Sequence, residues 1–93
     1  MENISEAVSR RVIEAIVRVK RIPVEAVTVD SRFQDLGMDS LDGLNLFFEL
    51  EEMFDISISD ELARSMRSVR DVVDEITRIL ASGHLATNDQ AGA

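Results

Sequence analysis

Asp35-Leu36-Gly37-Met38-Asp39-Ser40-Leu41-Asp42 lies near the middle of the 93-residue chain, and the segments on either side are organised around it. Gly37 is a turn former. It is followed by an acid and a serine, and then by a segment whose apolar residues recur at helical spacing. That order predicts a loop ending in a helix N-terminus, with Asp39 or Ser40 as the cap. Ser40 then stands exposed at the mouth of the helix, beside unpaired backbone N–H groups where the helix dipole favours an anion. A serine so placed is able to carry a phosphate ester. Plain capping uses the same residue types, so local chemistry alone leaves both readings open.

Residues 40 to 54 read as the helix that this stretch opens. Leu46, Phe47, Leu50 and Phe54 share one stripe at 100° per residue, with Met53 at its edge. Leu41, Leu44 and Phe48 fall on a second face near the serine. They either pack against the preceding loop or form a surface for partner proteins. Gly43 sits inside the helix, on the core-facing side between Ser40 and the Leu46–Phe47 pair. Either a neighbouring helix packs close there or the missing side chain leaves room beside the serine.

Before this helix, residues 3 to 20 predict a first helix with Val8, Val12, Ala15, Ile16 and Val19 as its apolar stripe. Asn3 and Glu6 have the spacing of a capping box. Arg10, Arg11, Arg18 and Lys20 fall mostly on other faces and read as a solvated side. Pro23 stops simple continuation. Residues 21 to 38 then form a long loop, expected to be pinned by Val24, Val27, Val29, Phe33 and Leu36. After the second helix, Ser59 is positioned to cap a short third helix from Asp60 to about Met66. Ser68, with Asp71 three residues on, opens a fourth. Val69, Val72, Val73, Ile76, Ile79 and Leu80 are its stripe, and Gly83 marks its end. Residues 82 to 93 lack a periodic pattern and read as a disordered tail. The expected fold is all-α: one domain over residues 1 to 81, a small four-helix bundle of three longer helices and one short third helix, with a long first loop.

Composition bounds the chemistry. The chain has no Cys, Trp or Tyr, one His and four Phe, and its formal net charge is −8. Disulfides, thiolate metal sites and cysteine nucleophiles are excluded. The single histidine, His84, lies in the expected tail, which leaves no basis for a Ser-His-Asp triad or a zinc site. The acids around Ser40 do not follow the calcium-loop pattern, and no glycine-rich phosphate loop is present. The acidic balance argues against general nucleic-acid binding. No signal peptide or membrane span is expected, and a cytoplasmic, monomeric protein fits. The charge is uneven: Asp35, Asp39, Asp42, Glu49, Glu51, Glu52, Asp55, Asp60 and Glu61 form an acidic run without a Lys or Arg among them. That run is centred on Ser40 and the helix after it.

Leu36-Gly37-Met38-Asp39-Ser40-Leu41 resembles the prosthetic-group site of acyl carrier proteins, in which a Gly-x-Asp-Ser-Leu stretch opens the second helix. The resemblance continues through Glu51-Glu52-Met53-Phe54-Asp55-Ile56-Ser57-Ile58-Ser59-Asp60-Glu61 and Ser68-Val69, and covers roughly residues 5 to 81. It implies the helix bundle independently. It also implies a 4′-phosphopantetheine arm on Ser40, attached by a phosphopantetheinyl transferase from coenzyme A, with acyl groups held as thioesters on the arm's thiol. The chain would be a carrier and not an enzyme, consistent with the lack of any general base near Ser40 in sequence.

The resemblance further implies docking on the second helix by acyl-loading, elongating and releasing enzymes with basic patches. Asp39, Leu41, Asp42, Phe48 and Glu52 would meet them, and reversal of Asp39 or Asp42 to Lys is expected to leave stability nearly unchanged. An acyl chain would shelter near Gly43, lined by Leu46, Phe47, Val73 and Ile76. Asn45 stands where the common fatty-acid pattern often has an acid, and Arg64, Arg67 and Arg70 add positive charge around the third helix. These departures leave the pathway open among fatty acid, modified lipid and polyketide synthesis. A second class stays open on the residues alone: an unmodified acidic helical module that binds a basic partner. Such a module has no need of the Gly37-Asp39-Ser40-Leu41 combination.

Overall fold

The computed structural model describes residues 3–82. The expected stop at Gly83, His84 and the tail from residue 83 onward lie outside them. Four α-helices are present among the described residues: α1 (Ile4–Lys20), α2 (Ser40–Phe54), α3 (Asp60–Ser65) and α4 (Val69–Ala81), with a single 3-10 turn at Val24–Ala26. The fold is thus the expected all-α bundle, and the helix bounds agree with the periodicity to within a residue.

Each helix begins where a short polar side chain takes an orphan backbone N–H. Asn3 accepts from Glu6 at α1, Ser59 from Leu62 at α3, and Ser68 from Asp71 at α4. Asp71 returns a bond, its carboxylate accepting the Arg67 N–H at 2.9 Å. α1 ends at Arg21, which turns left-handed (φ 56°) and donates its N–H to the Val17 carbonyl. Asp55 closes α2 in the same conformation, and Glu51 then accepts the Ile58 N–H at 2.7 Å. That side chain sets the path of the chain from α2 to α3.

The core is aliphatic. Val8, Val12 and Ile16 of α1, Leu46 and Leu50 of α2, and Val69, Val72 and Ile76 of α4 are fully buried. Each such side chain contributes about 1.5–3 kcal/mol relative to exposure. α1 packs along both α4 and α2, whereas α3 approaches no other helix closely along its length. It is held through Met66, which is buried, and through half-buried Leu62 and Ala63.

The long loop is ordered by two devices. Its middle forms an isolated antiparallel bridge between Arg32 and Ser68. There the Phe33 N–H donates to the Arg67 carbonyl, and the Val69 N–H to the Ser31 carbonyl, both at 3.0 Å. Its end, Phe33 to Met38, is one helical turn closed by a Schellman pair: Met38 N–H to the Phe33 carbonyl and Gly37 N–H to the Gln34 carbonyl. Val27 is buried, and Val29, Phe33 and Leu36 pack on the core. Val24 does not pin the loop as expected. It lies in the 3-10 turn and is 54% exposed, because the anchoring is done from Val27 onward.

Gly37 has φ +73°, a region costly for residues with a Cβ, although a Cβ there would touch nothing within 4 Å. Gly37→Ala is therefore expected to lower stability by about 1–2 kcal/mol through backbone strain alone, and Gly37→Asn by less. Chemical denaturation of the three proteins checks this. Equal midpoints for glycine and alanine would refute it.

Candidate functional site

The turn that Gly37 closes delivers the chain directly into α2. Asp39, not Ser40, is the cap. Its carboxylate accepts the Asp42 N–H at 2.9 Å, and the Asp42 carboxylate accepts the Asp39 N–H at 3.2 Å, so the capping box is complete. Ser40 is the first helical residue. It is exposed, and its hydroxyl has no hydrogen-bond partner among the described residues. The N–H groups of Ser40 and Leu41 are likewise without partners there, because the cap satisfies only the third. The result is an oxygen nucleophile held in the open beside two free donors at the positive end of a 15-residue helix.

Lys20, at the end of α1, fixes this arrangement. Its ammonium group donates to the Gly37 carbonyl at 3.1 Å and to the Asp42 carboxylate at 3.0 Å. It thereby grips the chain on both sides of Ser40. The hydrogen bond from Lys20, with that from the Asp39 backbone, lowers the Asp42 carboxyl below its ordinary value. Arg18 pairs with Glu49, about two turns further along α2. The basic side of α1 is thus not a purely solvated face. Two of its cations bind α2.

This changes the standing of the acids. Asp42, Glu49 and Glu51 have carboxylates engaged within the fold. Asp39 and Glu52 are exposed, as are Leu41 (64%), Leu44 (51%) and Phe48 (61%). The second apolar face of α2 is therefore open to solvent and does not pack against the loop.

A cavity of about 440 Å³ opens beside Ser40. Phe33 and Met38 of the loop, Gly43, Leu44 and Phe47 of α2, and Asp60, Ala63, Arg64 and Met66 in and after α3 line it, with Asp39 and Ser40 at its edge. Gly43 and Phe47 thus stand where a chain tethered to Ser40 would enter. Leu46, Val73 and Ile76 are not part of the lining. They are buried in the α1–α2–α4 core, because α1 fills the space between α2 and α4. The open side of α2 faces α3 instead. Phe33, Met38 and Met66 line it although sequence reasoning did not place them there. The loop's apolar anchors carried that signal. At Gly43 a Cβ would meet nothing within 4 Å, so no close helix packing explains the glycine.

A small helical bundle that leaves a serine hydroxyl unengaged at a helix start, beside a cavity, has room there for a covalently attached group. The comparisons agree. Residues 10–76 match the family described as phosphopantetheine attachment site. The chain is 47% identical over 58 residues to the acyl carrier protein of Phytoplasma australiense, covering 61% of this chain and 76% of that one. It is 39% identical over 74 residues to that of Akkermansia muciniphila, covering 78% and 92%. The crystal structure of an acyl carrier protein from Thermotoga maritima superposes with a TM-score of 0.74 at 25% identity, covering 85% and 93%. The chain belongs to the acyl carrier protein family. Its members are carriers and not enzymes, and they hold a covalent 4′-phosphopantetheine group. No helix among the described residues is long and apolar enough to cross a membrane.

The site fits that group: a free hydroxyl, two unpaired N–H donors for a phosphodiester, and an adjoining cavity with an apolar wall. Because Asp42 is bound by Lys20, its substitution is expected to destabilise the fold, contrary to the expectation from sequence. A carboxyl lowered in the folded state contributes stability that is present above its unfolded value of about 4. That contribution is lost as pH falls through the lowered folded value. The melting-temperature gap between wild type and Asp42→Asn should be wide at pH 7 and close below pH 4. A gap independent of pH would remove the Lys20–Asp42 pair as its cause.

Gly43→Ala should raise stability by up to about 1 kcal/mol, since a helical glycine is replaced with no contact made. A lower denaturation midpoint would show that the space is already used.

Proposed function

We propose that Ser40 is the attachment point of the 4′-phosphopantetheine arm and that the chain carries acyl intermediates in fatty acid, modified lipid or polyketide synthesis. The observation that carries this reading is the unengaged Ser40 hydroxyl at the start of α2, with the cavity beside it. The arm, once attached, supplies the thiol that holds the acyl group, which the cysteine-free chain lacks. The chain's own part is positional. Lys20 and the capping box hold the backbone around Ser40, so a transferase meets a preformed site. No side chain among the described residues hydrogen-bonds the Ser40 hydroxyl, so the base is assigned to the transferase. The unpartnered Ser40 and Leu41 N–H groups would be available to a phosphodiester anion on Ser40.

Acyl carrier proteins work with phosphopantetheinyl transferases and with enzymes of acyl metabolism. For this chain the docking surface is α2 from Asp39 to Glu52. Leu41, Leu44 and Phe48 supply apolar contact, flanked by the exposed carboxylate of Glu52 and by Asp39, whose carboxylate also caps α2. Opposite charge on partners gives fast, salt-sensitive encounter, and the small apolar area keeps the complex short-lived. Asp42 contributes mainly through the site's geometry, since its carboxylate points at Lys20.

Ser40→Ala should abolish mass gain when the protein is incubated with coenzyme A and a broad-specificity phosphopantetheinyl transferase. It should change stability by less than about 0.5 kcal/mol, because the hydroxyl caps nothing. Modification of the alanine variant would refute the assignment. Glu52→Lys should slow the transferase and flatten its salt dependence while leaving the melting temperature unchanged. An unaltered rate at low salt would take this surface out of the docking site.

A further inference from the structure

The cavity beside Ser40 has two unlike walls. The loop and α2 side is apolar, from Phe33, Met38, Leu44 and Phe47. The α3 side carries Asp60 and Arg64. These two are four residues apart on one helix, hence neighbours on one face. Neither makes an ion pair or a side-chain hydrogen bond with any other described residue, nor with the other. Arg64 is also the first cation after the acidic run that begins at Asp35.

A saturated acyl chain in this cavity would gain contact with the apolar wall. It would also lie against the exposed guanidinium of Arg64 and carboxylate of Asp60 and offer neither a hydrogen-bond partner in place of the water it displaces. A chain bearing a hydroxyl answers both groups. A hydroxyl both accepts and donates, whereas the guanidinium only donates and the carboxylate only accepts. A chain ending in a carboxylate would satisfy Arg64 but face Asp60 and the phosphodiester at the mouth. Resting on the reading that Ser40 carries an acyl arm, we infer that this cavity selects hydroxylated acyl chains, with Arg64 donating to the hydroxyl oxygen and Asp60 accepting its proton.

The test loads the full chain, through a broad-specificity transferase, with octanoyl, 3-hydroxyoctanoyl and 8-hydroxyoctanoyl arms, and reads thermal melts of each form beside the arm without acyl. At least one hydroxylated chain should raise the melting temperature above the octanoyl form by about 4 °C or more, the shift of roughly one hydrogen bond in a domain of this size. In Arg64→Met the order should reverse, while the forms without acyl melt as in wild type. Asp60→Asn, still an acceptor, and Arg64→Lys, still a donor, should retain a reduced preference. The inference falls if octanoyl stabilises as much as both hydroxylated chains. It also falls if Arg64→Met shifts every arm-bearing form equally, which would make Arg64 a partner of the phosphodiester. Failure to load any arm would instead overturn the assignment of Ser40, so the two failures are distinct.

Discussion

One ammonium group holds the site together. Lys20 ends α1, bonds the carbonyl of Gly37 before the serine, and bonds the carboxylate of Asp42 after it. Without it the loop's last turn and the first turn of α2 would meet only through the backbone. With it, the end of α1 is locked to the chain on both sides of Ser40. The capping box depends on the same carboxylate, since Asp42 serves both Lys20 and the Asp39 N–H. The exposed serine is thus the tip of a rigid corner.

That corner divides the molecule. On one side, α1 packs on α2 and α4 around an aliphatic core without a buried charge among the described residues. On the other, α3 stands away and leaves the cavity. The loop joins the two sides through the Arg32–Ser68 bridge, which ties the segment before Ser40 to the start of α4. Stability comes from the first side. The open space beside Ser40 belongs to the second.

Much of this was legible in the residues. The stripes of α1, α2 and α4 repeat at helical spacing, and Ser59 and Ser68 announce their helices, because capping and periodicity are local effects. Gly37 and Ser40 were legible for the same reason. Long-range pairing was not. Arg18 and Lys20 read as a solvated face, since nothing near them in sequence marks Glu49 or Asp42 as partners 31 and 22 residues away. The lining of the cavity beside Ser40 was legible only in part. Leu46, Val73 and Ile76 are apolar and periodic, which predicts burial correctly but cannot say which neighbour each one faces. Only the three-dimensional order of the helices packs α1 against both α2 and α4 and leaves Gly43 and Phe47 on the open side.

The loose attachment of α3 has a consequence for how such a chain diversifies. Asp60 and Arg64 are exposed and make no contact on which the core relies, so exchange of side chains on this short helix changes the lining of the cavity while the α1–α2–α4 packing stays as it is. The exposed apolar face of α2 is untouched by such exchanges. Substitution on α3 can therefore reshape the space beside Ser40 while the rest of the surface and the fold stay as they are, without passing through an unfolded intermediate sequence.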